Sequence, residues 1–460
     1  MAAETFLARL DRVPLNRFHW KLLVISGFGW LFDAMDVILI AFLLTPIRAE
    51  FGLDVTRTGL VVSAGFVGMF LGAAVSGRLA DRYGRRAIFQ ITLVVFSIGS
   101  LLSAAAPSFE LLLAARIVTG LGLGGELPVV ATLVSEYAPR ASRGRFIVLL
   151  ESFWAYGTIL AGVVALVVLP AYGWRAAFLV GALPALYVAY LRRALPESPR
   201  YLAEHGRIAE ADAVVRRVER EGGGALITVS KPVAPERAAA ASSQNGQRAQ
   251  QAQGAQGAWI SSLFAPRYRR RTVMLWILWF GITFTYYGMF TFLPSLLAGR
   301  GLSVVRSNEY FFISTLAQVP GYFSAAWLVE RIGRRPTLVA YLIGSALSAA
   351  LFGNSGAGTD AVVYAAMLSF FNLGAWGVTY TLSPELYPTA LRATGAGTAA
   401  AVGRIGGIIG PFIVPTLAAA YGESAVFGLF MAVLLLTAGA VALLGEETRG
   451  RSLEDIAPAA

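Results

Sequence analysis

Residues 77–86 read GRLADRYGRR, and residues 326–335 read AWLVERIGRR. In both stretches an acidic residue is followed by an arginine and, after one further position, by Gly-Arg-Arg, and corresponding positions are 249 residues apart. The same offset relates four more pairs of landmarks: Glu136 with Glu385, Pro139 with Pro388, Tyr172 with Tyr421, and Glu197 with Glu446. Because these residues recur in register over much of the chain, the sequence predicts two copies of one structural unit.

The segments between these landmarks are apolar. Of the 460 residues, 56% are hydrophobic and 14% are charged, whereas an ordinary soluble domain has about 25% charged residues. A helix of about 20 apolar residues spans the roughly 30 Å hydrocarbon core of a bilayer. Twelve such runs occur, at 22–45, 58–79, 87–106, 109–132, 146–169, 174–193, 272–297, 308–329, 337–354, 360–383, 393–419 and 424–444. Their polarity does not alternate, as it would in barrel strands, so we predict an all-α membrane protein with twelve transmembrane helices in two parallel six-helix repeats.

One long hydrophilic stretch separates the sixth run from the seventh. We expect an N-terminal six-helix bundle in residues 1–196, a linker in residues 197–270 and a C-terminal six-helix bundle in residues 271–460. Within the linker, the spacing of apolar residues predicts a short surface helix over 206–220. Residues 238–257 are mostly Ala, Gln, Ser and Gly, a composition typical of flexible segments that bury no core.

The positive net charge reflects the orientation of the chain in the membrane. Lys and Arg outnumber Asp and Glu by 38 to 27. The arginine clusters at 78–86, 140–145, 267–271 and 331–335 fall on one side if every run crosses once. By the positive-inside rule that side is cytoplasmic, and both termini lie there. We therefore expect no nucleic-acid partner, and we expect a plasma (inner) membrane of the bacterial type.

Composition also excludes several kinds of chemistry. The chain has no Cys, and its two His residues, His19 and His205, lie outside the apolar runs, so we expect no disulfide, no thiolate chemistry and no metal site. A phosphate-binding loop of the form G-x-x-x-x-G-K-[ST] is missing, which argues against ATP-driven chemistry. We therefore expect neither an enzyme nor a cofactor. The N-terminal residues lack the pattern of a cleaved signal peptide, so the first run should stay in the mature protein.

Taken together, the motifs resemble the major facilitator superfamily of secondary transporters. They are the two stretches quoted above and RIVTGLGLG at 116–124. The stretches SEYAPRASRGR (135–145), PESPRYLAEHGR (196–207) and SPELYPTALRATG (383–395) are similar to one branch, which contains sugar porters, organic-ion transporters, synaptic-vesicle glycoprotein relatives and bacterial niacin transporters. The motifs GWLFDAMD and GLGLGGELP resemble the niacin transporters most. The resemblance implies alternating access between two six-helix bundles, with energy from an ion gradient.

The same resemblance implies a role for the charged turns. In this superfamily the acidic residue of the signature helps to latch the two bundles together on the cytoplasmic side. We therefore expect a gate network of eight residues: Asp81, Arg85, Glu136 and Arg143, with their repeats Glu330, Arg334, Glu385 and Arg392. The alternative is that these residues only determine topology.

Ionisable residues at bilayer depth are few, and each is a candidate for function because its burial costs about 3 kcal/mol or more. Asp33 and Asp36 share one helical face in the first run, while Arg116 and Glu126 lie in the fourth. From their depths, Asp36 and Arg116 should meet. We expect these four residues to couple transport to protons, since an Asp that loses its Arg partner binds a proton more readily. A static ion pair that fixes helix packing is the alternative, and which Asp carries the proton stays open.

Arg404 in the eleventh run has no acidic residue at bilayer depth in its own half, and its repeat counterpart, Ala155, is uncharged. A cation without a partner in a central cavity favours an anion, and Arg binds a carboxylate through two parallel hydrogen bonds. We therefore expect Arg404 to bind the carboxylate of a substrate. The alternative is that Glu151 of the first half neutralises it.

Aromatic side chains in the fifth, seventh and tenth runs suit the binding of a flat ring. The candidate substrate contacts are Trp154, Tyr156, Tyr286, Tyr287, Phe290, Trp376 and Tyr380, with Thr283 and Gln318 for polar contacts. Each aromatic residue could instead serve helix packing or anchor the chain at the membrane interface. The seventh run reads WFGITFTYYG where sugar porters have Q-Q-x-x-G-I-N, which disfavours a sugar.

These features predict a proton-coupled symporter that imports a small aromatic monocarboxylate, with nicotinate as the leading candidate. We expect its partners to be the organic anion, protons and the lipid bilayer, and we expect a monomer. The alternatives within transport are a sugar porter and an organic-cation or drug transporter, which would use Asp33, Asp36, Glu126 and Glu151. A transport-inactive receptor is a further alternative, which the intact gate motifs disfavour. Proton stoichiometry and the choice between symport and antiport stay open.

Overall fold

The computed structural model describes residues 9–10, 13–138, 143–221, 261–387 and 389–449, and no strand occurs among them. Fifteen helices are defined in this part of the chain. They are α1 (Arg17–Phe51), α2 (Val55–Tyr83), α3 (Arg85–Ala105), α4 (Phe109–Tyr137), α5 (Arg143–Gly181), α6 (Pro184–Ala194), α7 (Pro199–Glu204), α8 (Ile208–Glu221), α9 (Pro266–Gly299), α10 (Val304–Leu316), α11 (Gln318–Ile332), α12 (Arg334–Gly353), α13 (Thr359–Glu385), α14 (Thr389–Tyr421) and α15 (Glu423–Leu444).

The helices account for the twelve predicted spans. Nine helical segments of the described chain are long and apolar enough to cross a membrane. One of them, Leu149–Val188, contains two spans, because the chain bends at Gly173, whose φ is 77°. The fourth span is α4, and the eighth is α10 followed by α11 after a break at Ala317. The prediction of an all-α membrane fold is confirmed.

The repeated Gly-Arg-Arg turns have the same backbone structure in both halves. Gly84 has a φ of 102° and Gly333 a φ of 101°, a region that L side chains rarely adopt. In the first half, the carboxylate of Glu197 accepts hydrogen bonds from the backbone N–H groups of Arg85 and Arg86, at 3.0 and 3.2 Å. The carboxylate thereby satisfies the free N–H groups at the start of α3. Below, the membrane face that carries these turns is called the arginine-rich face.

The corresponding acceptor in the second half is Glu447. Its carboxylate accepts hydrogen bonds from the backbone N–H groups of Arg334 and Arg335, both at 3.0 Å. At the offset of 249 residues Glu197 corresponds to Glu446, so the acceptor in the second half lies one residue later in the chain than the repeat alone would place it. Glu446 instead forms an ion pair with Arg271 at 2.6 Å. The path of the backbone between the last span and the turn decides which carboxylate reaches the start of α12.

The glycines of the fourth span let α2 and α4 pack backbone to backbone. A Cβ atom at Gly120 would lie 2.0 Å from the carbonyl oxygen of Gly65, and one at Gly124 would lie 2.0 Å from that of Met69. Small residues permit such close approach between transmembrane helices. The contact brings Arg116, one turn before Gly120 on α4, into the interior of the first half, where it is 4% exposed.

The two halves meet at the membrane face opposite the arginine-rich face. The hydroxyl of Ser63 on α2 donates a hydrogen bond to the carbonyl oxygen of Ile408 on α14 at 3.0 Å. The rings of Phe42 and Phe311 pack with their centroids 4.8 Å apart. These contacts close the interface on that side.

Two short helices, α7 and α8, follow the first half. Helix α8 occupies the region where apolar spacing predicts a helix over 206–220. Arg9 forms ion pairs with Asp212 at 2.9 Å and with Glu219 at 2.5 Å, which hold α8 against the N-terminal segment. The Ala- and Gln-rich stretch 238–257, where the sequence predicts flexibility, lies outside the described residues.

Candidate functional site

A cavity of about 420 Å³ lies between the two halves, with walls from seven helices. Most of the lining residues lie in the parts of their helices that are nearer the arginine-rich face, so the cavity is directed toward that face. The lining residues are Trp30, Met69, Phe70, Ala73, Ala74, Glu151, Trp154, Trp279, Thr283, Tyr286, Tyr287, Tyr322, Leu373, Trp376, Tyr380, Gly397, Ala400, Ala401 and Arg404.

Aromatic rings form much of the wall. Trp376 and Tyr380 stack with their centroids 5.6 Å apart and their planes at 29°, and Trp279 packs edge-on against Trp376 at 5.7 Å. Between the halves, the indole N–H of Trp154 donates a hydrogen bond to the hydroxyl of Tyr286 at 2.8 Å. The wall therefore presents flat apolar surfaces of the kind that bind planar rings.

Among the described residues that line the cavity, Arg404 is the one basic residue. Its Nη1 atom lies 3.6 Å from the sulfur of Met69, and it forms no ion pair with any residue that the structure describes. Gly397, Ala400 and Ala401 line the cavity from the same helix, and their small side chains leave space in front of the guanidinium. The guanidinium can therefore donate hydrogen bonds to an anion in the cavity.

Glu151 is the acidic residue of the same wall and is 4% exposed. It forms no ion pair with Arg404 in the described chain, so the alternative in which Glu151 neutralises Arg404 is not realised in this structure. Tyr287 and Tyr380 each interact electrostatically with both Glu151 and Arg404. The cation and the carboxyl group therefore lie apart on a wall that these two tyrosines share.

Asp36 and Arg116 form the ion pair that their depths predict. The Nη2 atom of Arg116 lies 2.9 Å from Oδ2 of Asp36, and the hydroxyl of Ser100 donates a hydrogen bond to Oδ1 at 2.8 Å. The ring of Phe178 covers the guanidinium at 5.5 Å. The two charged side chains are 0% and 4% exposed, and neither lines the cavity. The pair is a polar centre inside the first half, behind the cavity wall.

Asp33 and Glu126 lie close to this pair and are equally buried, at 1% and 0% exposure. Their carboxyl groups are close enough to interact electrostatically, and none of their four oxygens makes a hydrogen bond within the described chain. Two neighbouring buried carboxyl groups without partners form a place where a proton can bind. A Cβ atom at Gly29 would lie 2.3 Å from Oε1 of Glu126, so glycine makes room for the carboxyl group. Asp33 also interacts electrostatically with Asp36 and Arg404. It therefore connects the buried pair with the cavity.

Comparison with known families decides the class of protein. The model of the family described as "Sugar (and other) transporter" matches residues 18–460. The chain belongs to this family. It is a transporter of the major facilitator superfamily, an integral membrane protein and not an enzyme, as the sequence predicts.

Two relatives of the transporter and one similar solved structure agree with this membership. The niacin transporter NiaP of Acinetobacter baylyi is 48% identical over 453 residues, which cover 98% of this chain and 99% of the relative. The synaptic vesicle 2-related protein of Xenopus laevis is 30% identical, over 98% of this chain and 83% of that protein. The xylose transporter XylE of E. coli, in a partially occluded inward open conformation, superposes with a TM-score of 0.75 at 18% identity, over 95% of this chain and 99% of its own. This last likeness shows the fold.

Seven of the predicted substrate contacts of the transporter lie on the cavity wall: Trp154, Thr283, Tyr286, Tyr287, Trp376, Tyr380 and Arg404. The hydroxyl of Thr283 donates a hydrogen bond to the carbonyl oxygen of Gly403 at 2.6 Å, so it is already engaged within the second half. That these residues bind substrate stays a prediction, but the structure brings them together from α5, α9, α13 and α14.

The other three predicted contacts do not line the cavity. Tyr156 is 42% exposed, because residues two positions apart on a helix point in different directions and Trp154 faces inward. Phe290 packs behind Tyr286, with ring centroids 4.8 Å apart. Gln318 is fully buried at the start of α11. The composition of a span therefore identifies helices that line the cavity, but it does not identify which face of each helix points into the cavity.

Sequence reasoning missed four aromatic residues of the wall: Trp30, Phe70, Trp279 and Tyr322. Trp279 lies one helical turn before Thr283, so helical spacing from that residue could have found it. The ring of Trp30 packs against Trp154 at 5.0 Å. This contact joins two helices that are far apart in the chain, and no local signal in the sequence predicts it.

The described ion pairs of the predicted gate lie within each half of the transporter. Arg85 pairs with Glu136 at 3.4 Å, and Arg334 pairs with Glu385 at 3.1 Å. The side chain of Glu330 is exposed. Three further side chains of the predicted network fall outside those that the structure describes: Asp81, Arg143 and Arg392. A latch between the halves stays a prediction, which concerns a conformation in which the cavity is closed on this face.

Proposed function

We propose that the transporter imports nicotinate, a small aromatic monocarboxylate, together with protons. The observation that carries this proposal is Arg404, a guanidinium without an ion-pair partner among the described residues, on a cavity wall of aromatic rings. A guanidinium binds a carboxylate through two parallel hydrogen bonds, and aromatic side chains stack against a planar ring. The cavity, at about 420 Å³, is large enough for one pyridine ring with its carboxylate.

The similarity to a niacin transporter supports the same substrate. That relative is 48% identical over almost the full length of both chains. The identity and the chemistry of the cavity are independent arguments, because the first rests on the whole chain and the second on the side chains of one wall.

Proton coupling is supported by the two buried centres behind the wall. The ion pair of Asp36 with Arg116 and the neighbouring buried carboxyl groups of Asp33 and Glu126 both lie within the first half. Asp33 interacts electrostatically with Arg404. A carboxylate bound at Arg404 would offset that positive charge, so substrate and proton would bind together more favourably than either binds alone.

The direction of the cavity supports alternating access. Contacts such as that of Ser63 with Ile408 close the face opposite the arginine-rich face, and the cavity is directed toward the latter. By the positive-inside rule the arginine-rich face is cytoplasmic, so this conformation faces inward and both termini are cytoplasmic. Import then requires a second conformation that opens the other face. We place the transporter in a bacterial-type inner membrane, as a monomer.

The alternative substrates fit this cavity less well. An organic cation would meet the guanidinium of Arg404. Of the four acidic residues that could attract it, Glu151 lines the cavity, while Asp33, Asp36 and Glu126 lie behind the wall. A sugar requires many hydrogen-bonding partners, and the hydroxyl of Thr283 is already engaged with backbone. Both arguments favour an aromatic acid.

Uptake of radiolabelled nicotinate into proteoliposomes tests the proposal. With an inward proton gradient, we expect accumulation above the external concentration, which a protonophore abolishes. Liposomes without protein and liposomes with Arg404→Gln serve as controls, and both should stay at background. Uptake that is unaffected by the gradient would contradict proton coupling, and the absence of saturable nicotinate binding would contradict the substrate.

A further inference from the structure

Glu151 has no role in the binding of a carboxylate, yet it lies on the cavity wall. It is the one acidic residue in the part of the lining that the structure describes, and it is 4% exposed. No ion pair neutralises it within the described chain. A lone carboxylate at bilayer depth is costly, so such a residue usually serves a ligand or a proton.

The position of Glu151 relative to Arg404 limits what it can contact. Both residues line one cavity, they do not pair with each other, and Tyr287 and Tyr380 interact electrostatically with both. An aromatic acid whose carboxylate binds Arg404 extends its ring along these tyrosines. The far side of that ring then faces Glu151.

We propose that Glu151 donates a hydrogen bond to a ring nitrogen of the substrate and thereby selects nitrogen-containing aromatic acids over purely carbocyclic ones. This inference rests on the proposed function and names the part of the substrate that the second charged residue recognises. A pyridine nitrogen has an in-plane lone pair and accepts a hydrogen bond, and a neutral carboxyl group supplies the donor. The interaction leaves no charge unpaired, because the substrate carboxylate faces Arg404 and the proton of Glu151 lies against the nitrogen.

Benzoate is the informative competitor, because it has the same shape and carboxylate but a C–H group where a pyridine has its nitrogen. Its binding would leave the O–H group of Glu151 without an acceptor, because the neighbouring indole of Trp30 is a donor only, and this costs about as much as a lost hydrogen bond. A site built around a polar group discriminates strongly against an analogue that lacks the matching atom. We therefore expect nicotinate to bind at least about tenfold more tightly than benzoate. N-methylnicotinate, which has no lone pair on nitrogen, should bind more weakly than nicotinate.

The test measures equilibrium binding of nicotinate and benzoate to the purified full-length transporter in detergent. Glu151→Gln keeps an N–H donor and should retain most of the preference for nicotinate, whereas Glu151→Leu should reduce the ratio of the two affinities to about one, since the donor is lost. Glu309→Leu is the matched control, because Glu309 lies on the surface in a pair with Arg306, and it should leave the ratio unchanged.

The outcomes separate this inference from the function on which it rests. If the unmodified transporter binds neither acid, the proposed function fails. If it binds nicotinate and benzoate equally, or if Glu151→Leu keeps the preference, the assignment of Glu151 is wrong while the proposed function stands. The affinities of nicotinate and benzoate can be compared on the unmodified protein, without a variant. The inference therefore remains testable even if Glu151→Leu does not fold.

Discussion

The two halves of the transporter have equivalent turns but different interiors. Gly84 and Gly333 adopt almost the same φ, 102° and 101°, and each turn binds a carboxylate through two backbone N–H groups. The buried charges follow no such symmetry. At the same offset, Asp36 corresponds to Thr285 and Arg116 to Ala365.

The asymmetry applies to every buried charge of the site. Asp33 corresponds to Ile282, Glu126 to Ala375, Glu151 to Ala400, and Arg404 to Ala155. The turns keep their residues because both halves need the same backbone geometry there. The interiors differ because one half holds the buried polar centres and the other supplies the cation of the cavity. The comparison teaches that repeat symmetry predicts structure at the turns but does not predict where the buried charges lie.

The largest expected effect concerns Arg404, whose counterpart in the first half is the uncharged Ala155. Arg404→Gln should weaken nicotinate binding at least about thirtyfold, because removal of one partner of a desolvated charge pair costs about 2 to 5 kcal/mol. Equilibrium binding in detergent measures it. Arg306→Gln is the matched control, since Arg306 is exposed and pairs with its neighbour Glu309 on the surface. Equal losses in both variants would contradict a specific role for Arg404.

The next effect concerns Asp36, whose counterpart in the second half is the uncharged Thr285. Asp36→Asn should abolish proton-driven accumulation of nicotinate but leave exchange of labelled for unlabelled nicotinate across the membrane, since Asp36 does not line the cavity. Proteoliposome uptake and counterflow measure the two processes. Thr285→Ser, at the equivalent position of the second half, should leave both processes intact. Accumulation that survives in Asp36→Asn would exclude this residue from coupling.

A smaller and symmetrical effect is expected at the turns. Gly84→Ala and Gly333→Ala should each lower the free energy of unfolding by about 1 to 3 kcal/mol, because a residue with a Cβ atom is strained at positive φ. The new Cβ atom would also lie 2.3 Å from the carboxylate of Glu197 in the first turn and 2.5 Å from that of Glu447 in the second. Thermal unfolding in detergent provides the measurement. Gly428→Ala is the control, since nothing lies within 4 Å of its Cβ position. A loss confined to one of the two turns would show that the halves differ here as well.

The smallest expected effect concerns the carboxylate of Glu447, which accepts the hydrogen bonds at the start of α12. The backbone N–H groups of Arg334 and Arg335 donate hydrogen bonds to the carboxylate of Glu447. Glu447→Ala should therefore accelerate hydrogen exchange at these two amides, by a factor that corresponds to about 1 kcal/mol in the free energy of opening. Glu446→Ala should leave these amides unchanged, because Glu446 pairs with the side chain of Arg271. The reverse result would show that Glu446, the residue that corresponds to Glu197 in the repeat, accepts these hydrogen bonds.

The fold could be predicted from the sequence almost completely. Apolar length, the repeated Gly-Arg-Arg turns and the side of the arginine clusters are local properties, and each depends only on residues close together in the chain. The pair of Asp36 with Arg116 was also predictable, because their positions along two spans give their depths and the bilayer leaves few other partners.

The wall of the cavity was predictable only in part. The sequence identified seven of its residues, but it also suggested Tyr156, Phe290 and Gln318 and missed Trp30. Aromatic residues are common on all faces of a transmembrane helix, because lipid and protein interior are both apolar, so composition does not distinguish them. The rotation of each helix about its axis follows from packing against its neighbours.

By itself, the sequence determined the number of spans, their division into two repeats and the presence of charge at bilayer depth, because hydrophobic length and the cost of buried charge act along one segment at a time. Only the tertiary structure decided that Glu151 and Arg404 lie apart on one wall, that Asp33 meets Glu126, and that Glu447 caps α12. Those arrangements depend on distances between helices, which arise when all of them pack together.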